Sequence, residues 1–222
     1  YRYTYYDDNS IATVDPNQIH LPGVFVQDQI SLSKLSTLLL GGRYDYNSNH
    51  GNVFSPRANY KWRSKNKKNT LRLSTGNGFR VVNLFTEEHA AFTGTRDLIV
   101  EEELKPETSW NGNVNYVKKF LFKNDAFLSL DITGFYTYFS NHILPDYDSI
   151  PNSIIYDNLD GFSVSQGVSL NTDFSLPNGL NILAGTTVMD VSFTEEDVTQ
   201  RQMLSERFTA TWGVSYKLKK QN

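Results

Sequence analysis

The feature that most constrains the fold of this chain is a one-by-one alternation of apolar and polar residues over long stretches. In the clearest stretch, 162–176, apolar side chains share one face, and serine, asparagine and aspartate dominate the other. A period of two residues is typical of a β-strand whose faces meet different surroundings. We count nine such segments, the first from about Gly23 to Leu32 and the last from Arg207 to Leu218, preceded by a partial one.

The length of these segments favours membrane strands over the strands of a soluble sandwich. Several run beyond ten residues, whereas strands in soluble domains usually have about 5–6. A membrane strand needs ~9–11 tilted residues, with one face toward lipid. The composition agrees, since 14% of the 222 residues are aromatic although only 39% are hydrophobic. Because no apolar stretch approaches the length of about 18 residues that a spanning helix requires, the sequence predicts no transmembrane helix.

The connections between segments alternate in length. The short ones fall at 33–34, 64–69, 118–124 and 177–179, and the long ones at 7–21, 47–53, 79–106, 141–161 and 194–205. Tight turns on one side and long loops on the other are typical of outer-membrane barrels. Lysines cluster around the short turns and acidic residues in the long loops, so one end is basic and the other acidic. We predict an antiparallel up-and-down transmembrane β-barrel in which each strand pairs with its sequence neighbours.

Asp28 does not fit this pattern. It shares a face with Val24, Val26, Ile30 and Leu32, where a carboxylate directed at lipid is unfavourable. We expect a β-bulge that changes the register and turns Asp28 away from lipid.

Several function classes find no support in the residues. A net charge of −3 argues against a nucleic-acid partner, and the lack of cysteine excludes disulfides and cysteine–metal sites. The four histidines, at 20, 50, 89 and 142, fall in or beside loops, where we expect them to be solvated. Glu87-Glu88-His89 has no second histidine at ligand spacing, so we predict no metal site. Without a Gly-x-Ser-x-Gly motif or a readable Ser/His pairing, we predict no catalytic residue, no cofactor and no enzymatic activity.

Five short motifs follow one another over about seventy residues. They are Leu-Gly-Gly-Arg-Tyr-Asp within Leu39–Asp45, Phe54-Ser55-Pro56-Arg57, Leu71-Arg72-Leu73-Ser74, Gly76-Asn77-Gly78-Phe79-Arg80, and Glu103-Leu104-Lys105-Pro106-Glu107-Thr108. In this order and spacing they resemble the C-terminal barrel of TonB-dependent receptors. Each motif alone is weak, but the ordered set is specific, and the resemblance covers nearly the whole chain.

The resemblance implies a barrel of about 22 strands filled by a separate N-terminal plug domain. Nothing in 1–222 resembles that plug or the segment that engages TonB. We therefore expect 1–222 to be a partial TonB-dependent receptor barrel, all-β and incomplete, with about 9–10 strands of a larger barrel and without the plug. Lipid would leave the open edges of such a piece unsatisfied, so we expect it to be part of a larger protein.

The implied function is an outer-membrane receptor that actively imports a scarce nutrient, such as a siderophore, a cobalamin-like cofactor or a glycan. The implied partners are the small nutrient ligand, the plug, the TonB complex acting through the missing N-terminal part, outer-membrane lipid and lipopolysaccharide. The location would be a Gram-negative outer membrane. Two alternatives stay open: another outer-membrane barrel, either a porin or a barrel enzyme, and a soluble β-rich glycan-binding module.

Two groups of residues are candidates for the functional site. We predict that the loops Thr86–Glu103 and Leu144–Tyr156 form the ligand mouth, with candidate residues Glu87, Glu88, His89, Asp146, Tyr147, Asp148 and Tyr156. A second group falls on the polar faces of the strands, where its members would line the lumen or meet the plug: Arg43, Arg57, Arg72, Asp131, Asp173 and Arg207. The alternative for this second group is that its members pair with one another across strands.

Overall fold

The structure, a computed structural model, describes residues 1–6, 17–81, 97–100, 104–146 and 149–218, and these form fifteen strands. The strands are β1 (Arg2–Tyr6), β2 (Asn17–Leu21), β3 (Gly23–Ser33), β4 (Ser36–Asn47), β5 (Gly51–Arg63), β6 (Asn69–Arg80), β7 (Asp97–Val100), β8 (Glu107–Leu121), β9 (Phe127–Asn141), β10 (Ile143–Asp146), β11 (Ser153–Asn158), β12 (Gly161–Ser175), β13 (Leu180–Glu195), β14 (Val198–Arg201) and β15 (Phe208–Tyr216). In these ranges no helix is long and apolar enough to cross a membrane.

Ten strands form one sheet, the main sheet. Its nine long strands β3, β4, β5, β6, β8, β9, β12, β13 and β15 lie in sequence order, and each pairs antiparallel with the next. The short strand β14 folds back on the end of β13. These nine strands are the nine segments that alternation predicts, so the up-and-down antiparallel fold is confirmed. The sheet does not close: β3 lies at one edge and β15 near the other, as expected for part of a larger barrel.

The two faces of the main sheet differ because residues paired across strands share a face. One row of paired residues is aliphatic, aromatic or glycine throughout: Ile30, Leu38, Tyr60, Leu73, Val114, Gly134, Val168, Val188 and Phe208. The adjacent row is polar throughout: Ser31, Thr37, Lys61, Arg72, Asn115, Thr133, Ser169, Thr187 and Thr209. The apolar face is uncovered, with Val168 54% and Trp212 82% exposed.

Asp28 stays on the apolar face. β3 pairs with β4 in an unbroken register from Gly23 to Ser31, and the register shift falls between Ser31 and Ser33. A bulge at that point lies beyond Asp28 and leaves its side chain on the face of its apolar neighbours. The bulge that we expect from the sequence is therefore wrong, and Asp28 stands opposite Leu40.

Three short strands form a second unit, the loop sheet, in the order β10, β11, β7. β11 pairs antiparallel with β10 but parallel with β7, so that Ser153 stands opposite Asp97. This parallel pair corrects the prediction that every strand pairs antiparallel with a sequence neighbour. A parallel pair needs a long connection, and about fifty residues separate these two strands. The buried apolar cluster of Ile143, Ile154 and Tyr156 lies in the loop sheet rather than in the main sheet.

Candidate functional site

Four polar side chains meet where the loop sheet joins the main sheet, and together they form the Glu107 cluster: Arg80, Glu107, His142 and Ser163. Arg80 ends β6, Glu107 begins β8, His142 lies between β9 and β10, and Ser163 lies near the start of β12. Because the main sheet is up-and-down, the long-loop ends of these strands lie side by side. Residues far apart in sequence therefore become neighbours.

Glu107 is the centre of the cluster and is only 4% exposed. Its Oε2 accepts a hydrogen bond from Arg80 Nε at 2.6 Å, and its Oε1 accepts one from the backbone N–H of Ile143 at 3.0 Å. Hydrogen bonds from a guanidinium and a buried amide offset the desolvation of a buried carboxylate. One carboxylate thereby ties the end of β6 and the first residue of β10 to β8.

His142 is held on both sides of its ring. Nδ1 lies 3.1 Å from the Oγ of Ser163, and Nε2 lies 3.4 Å from Oε1 of Glu107. The ring stacks on Phe139 with 4.9 Å between the centroids. Burial lowers the pKa of His142 below 6.5; Glu107 opposes this shift and Arg80 adds to it. The ring is therefore neutral at neutral pH, and the expectation of a solvated loop histidine is wrong for His142.

Asn158 at the end of β11 and Asn141 at the end of β9 both bond to the segment before β8, and Asn141 Nδ2 also donates to Asn158 Oδ1 at 3.3 Å. Asn158 Oδ1 accepts a hydrogen bond from the backbone N–H of Lys105 at 2.8 Å. Asn141 Nδ2 donates to the backbone carbonyls of Lys105 and Pro106 at 3.2 and 3.1 Å. Together with the Glu107 cluster, these bonds attach the loop sheet to the main sheet at several points.

The structure describes two of the seven predicted ligand-mouth residues. Asp146, at the end of β10, is exposed, and its Oδ1 accepts a hydrogen bond from the backbone N–H of Ser149 at 3.1 Å. Tyr156, in β11, is 3% exposed and belongs to the buried cluster of the loop sheet. The remaining five lie outside the described residues: Glu87, Glu88, His89, Tyr147 and Asp148.

The predicted lumen residues all lie on the polar face of the main sheet, and most have a partner there. Arg43 Nε and Nη2 donate to the two carboxylate oxygens of Asp45 at 2.6 and 2.8 Å. Arg57 donates to the side-chain oxygen of Gln27 on β3. Arg207 immediately precedes β15, where its carbonyl accepts the N–H of Met189.

A three-strand network joins two further lumen candidates. Arg72 Nη1 donates to Asn115 Oδ1 at 2.8 Å, and Asn115 Nδ2 donates to Asp131 Oδ1 at 2.5 Å and to Thr133 Oγ1 at 2.8 Å. Arg72 and Asp131 are therefore bridged across three strands by Asn115 and are not paired directly with each other. Contact with a plug stays a prediction.

A groove of about 670 Å³, the lumen groove, opens on the polar face toward the short-turn end. Asp131 and Asp173 contribute to its lining together with Lys119 and Asn171. Gly185 lies in its floor, where a Cβ would stand 2.7 Å from the side-chain oxygen of Asn171 and would force that side chain to move. The structure thus brings together two of the six residues that the sequence assigns to the lumen.

The side chains of the Glu107 cluster have a structural role. Ser163 and His142 form a Ser/His contact that the sequence did not reveal, but Ser163 is 1% exposed, so a substrate has no access to its hydroxyl. Among the described residues no group of His, Cys, Asp and Glu is placed to hold a metal ion. Arg80 and Glu107 do stand in the recognised motifs, yet nothing in the sequence links them to His142 or Ser163.

Comparison with known proteins agrees with this architecture. A family profile described as "TonB dependent receptor-like, beta-barrel" matches residues 1–222. The iron-regulated outer membrane virulence protein of Vibrio cholerae serotype O1 is 28% identical over 121 residues, which are 54% of this chain and 18% of that protein.

Two solved structures have the same fold. The ferric enterobactin receptor of Pseudomonas aeruginosa, in complex with enterobactin, has a TM-score of 0.68 at 17% identity and matches 92% of this chain and 32% of its own. The siderophore receptor PirA from Acinetobacter baumannii has a TM-score of 0.67 at 15% identity, with 95% and 33% covered. The chain thus spans about a third of these receptors and less than a fifth of the curated relative.

Proposed function

Because the chain belongs to the TonB-dependent receptor family, we propose that it is the C-terminal part of the barrel of a receptor that imports a ferric siderophore. The protein lies in the Gram-negative outer membrane, where this family and the relatives reside. That location argues against the soluble glycan-binding alternative. The names of similar proteins support iron as the nutrient, since one relative is named as iron-regulated, one solved neighbour as a siderophore receptor and another as a ferric enterobactin receptor. Cobalamin-like cofactors and glycans are the competing ligands.

The observation that carries the proposal is the loop sheet fixed above the polar face of the main sheet. Four bonded side chains and two asparagines hold this unit at the long-loop end, where a ligand arriving from outside meets the barrel. Exposed Asp146, with Glu87, Glu88, His89, Tyr147 and Asp148, would contact the ligand. Tyr156, which is buried inside the loop sheet, would not contact the ligand but would hold β11 in place. Binding sites on loops depend on such a rigid base.

The polar face would receive the plug domain, which we assign to a part of the protein outside 1–222. The lumen groove, with Asp131 and Asp173, offers carboxylates to a basic plug side chain, and Arg43, Arg57, Arg72 and Arg207 offer the opposite charge elsewhere on this face. The TonB complex would supply energy by pulling on the plug. In this proposal 1–222 makes and breaks no covalent bond.

Deleting 144–156 from the full-length receptor tests the proposal. The deletion removes most of β10 and most of β11, so we expect uptake of radioactive iron from ferric enterobactin, and its binding to intact cells, to fall at least about tenfold. Heat-modifiability on gels reports whether the barrel still assembles. Shortening the exposed turn 195–197 is the matched control and should leave binding unchanged. Unaltered affinity in an assembled deletion variant contradicts the proposal, and binding of cobalamin or a glycan instead of ferric siderophores would replace iron as the nutrient.

A further inference from the structure

The outward face of the sheet carries an aromatic surface above β3 that the proposed transport function does not use. We call it the outer aromatic wall: Tyr1, Tyr3, Tyr5, His20, Tyr44, Tyr46 and Phe54. β1 pairs antiparallel with β2, which places Tyr3 opposite His20, and Tyr44 stands opposite Phe54.

The backbone shows that these side chains share the apolar, outward face. The N–H groups of Tyr46 and Ser48 donate to the carbonyls of Pro22 and His20 at 2.9 and 3.0 Å, so the β3–β4 ladder continues through Pro22 into β2. Alternation along this continuous strand puts His20 on the same face as Val24. The wall is therefore an upward extension of the lipid-facing surface.

The rings of the wall are open to the surroundings. Phe54 is 62%, Tyr3 49% and Tyr46 46% exposed. Tyr1 Oη lies 2.8 Å from Nδ1 of His20, and the Tyr3 and His20 ring centroids are 5.0 Å apart, so this part of the wall is a connected platform. Large exposed aromatic patches mark interaction sites.

The height of the wall places it above the hydrocarbon. A strand rises ~3.3 Å per residue and tilts by ~40°, which gives a vertical rise of about 2.5 Å per residue. Counted from the Ser33–Lys34 turn, Tyr44 lies about 25 Å up, which is the height of the apolar band of outer-membrane barrels. His20 lies about 35 Å up, so the wall extends roughly 10 Å beyond the hydrocarbon into the layer of lipid headgroups and their sugars.

The side chains of the wall indicate which kind of ligand it can bind. On this face, the described residues of β1 and β2 and of the long-loop ends of β4 and β5 include no Asp, Glu, Lys or Arg. A lipid phosphate would call for Lys or Arg. Aromatic faces with hydroxyl and amide groups, such as Tyr44 bonded to Asn52 Oδ1 at 2.7 Å, suit uncharged rings that present both CH groups and hydroxyls.

We propose that the outer aromatic wall binds the saccharide part of lipopolysaccharide, by stacking of sugar rings on its tyrosines. The proposal rests on the outer-membrane location and on no particular imported nutrient. It gives the receptor a fixed lateral neighbour in the outer leaflet, on the side opposite to the ligand mouth and the plug.

The test uses the full-length receptor in nanodiscs and, as probe, the oligosaccharide released from lipopolysaccharide by mild acid. Saturation-transfer NMR should show contacts from sugar ring protons. The double variant Tyr3→Ala/Tyr46→Ala should bind this probe about tenfold more weakly, the loss of two aromatic contacts. Tyr46→Phe should bind normally, because it keeps the ring. Tyr216→Ala is the matched control, since Tyr216 is 57% exposed on the same outward face at the short-turn end.

The proposal is overturned by a wild-type receptor that does not bind the oligosaccharide, by equal binding of the double variant, or by an equal loss in Tyr216→Ala. A protein partner on the wall, found in place of sugar, also overturns it. Iron uptake is measured in the same variants and should be unchanged. Failure of uptake in the wild type would refute the proposed nutrient while leaving saccharide binding to be judged by NMR.

Discussion

The main sheet and the loop sheet are built from the same kinds of residue but are stabilised in different ways. Strands of the main sheet are long, pair with sequence neighbours and leave their apolar side chains uncovered, as Val168 and Trp212 illustrate. The loop sheet has strands of four to six residues around a small buried cluster, and the Glu107 carboxylate and the side chain of Asn158 join it to the rest. The main sheet therefore depends on lipid to cover it, whereas the loop sheet depends on its own buried contacts.

The largest effect is expected from an arginine placed on the apolar face of the main sheet, and it tests which face of the sheet meets lipid. Val168 and Ser169 are consecutive residues of β12 on opposite faces, one in the apolar row and one in the polar row. An outward arginine near the bilayer midplane costs ~2–4 kcal/mol, while an arginine facing the lumen costs much less. We expect Val168→Arg to impair assembly of the full-length barrel and Ser169→Arg to assemble normally.

Expression level and heat-modifiability measure both variants. Val168→Leu is the control for the loss of valine and should assemble like the wild type. If the two arginine variants assemble equally well, the assignment of the apolar row to lipid is wrong.

The second effect is confined to the loop sheet. Glu107→Ala leaves the buried N–H of Ile143 without this acceptor and removes one hydrogen-bond partner of Arg80, a loss of about 1–3 kcal/mol. We expect hydrogen exchange to accelerate in Ser153–Asn158 while the amides of β12 and β13 stay protected. Affinity for the imported ligand should fall in the same variant, because the loop sheet is less firmly held.

Glu195→Ala is the matched control, because Glu195 is an exposed carboxylate at the end of β13. It should change neither exchange nor affinity. Faster exchange throughout the main sheet in Glu107→Ala would show that the two sheets unfold together, and would contradict the division between them.

How much the sequence predicts also differs between the two sheets. The long strands carry a local signal, since each segment such as 162–176 shows its own alternation and its neighbours follow from short turns. The parallel pair of β7 and β11 has no such signal, because four residues are too few for a periodicity and their partner lies about fifty residues away. The Glu107 cluster is missed for the same reason, as its members lie at the ends of four different long strands that only the folded sheet aligns.

Asp28 shows a different limit of sequence reasoning. Its position on the apolar face follows from alternation, whereas the expected bulge rests only on the cost of a carboxylate that faces lipid. The unbroken register from Gly23 to Ser31 keeps Asp28 on the face that alternation predicts. Alternation in a long antiparallel strand is therefore a stronger guide to the face of a residue than the type of that one residue.

The smallest expected effect is a pH dependence of the loop sheet. Burial lowers the pKa of His142 in the folded loop sheet below its ordinary 6.5, so the unfolded loop binds a proton more readily than the folded one. The contribution of His142 to the stability of the folded loop sheet is therefore fully present above pH 6.5, and it is lost as the pH falls from 6.5 toward the lowered pKa. The charged groups beside the ring, Glu107 and Arg80, act in opposite directions on this shift.

We expect the exchange protection factors of Ser153–Asn158, corrected for intrinsic rates, to decrease in mild acid while those of β12 do not. His142→Gln should flatten the dependence, because glutamine does not titrate, whereas the exposed His20→Gln should leave it intact. A pH response that persists in His142→Gln would assign it to another group and remove His142 as its cause.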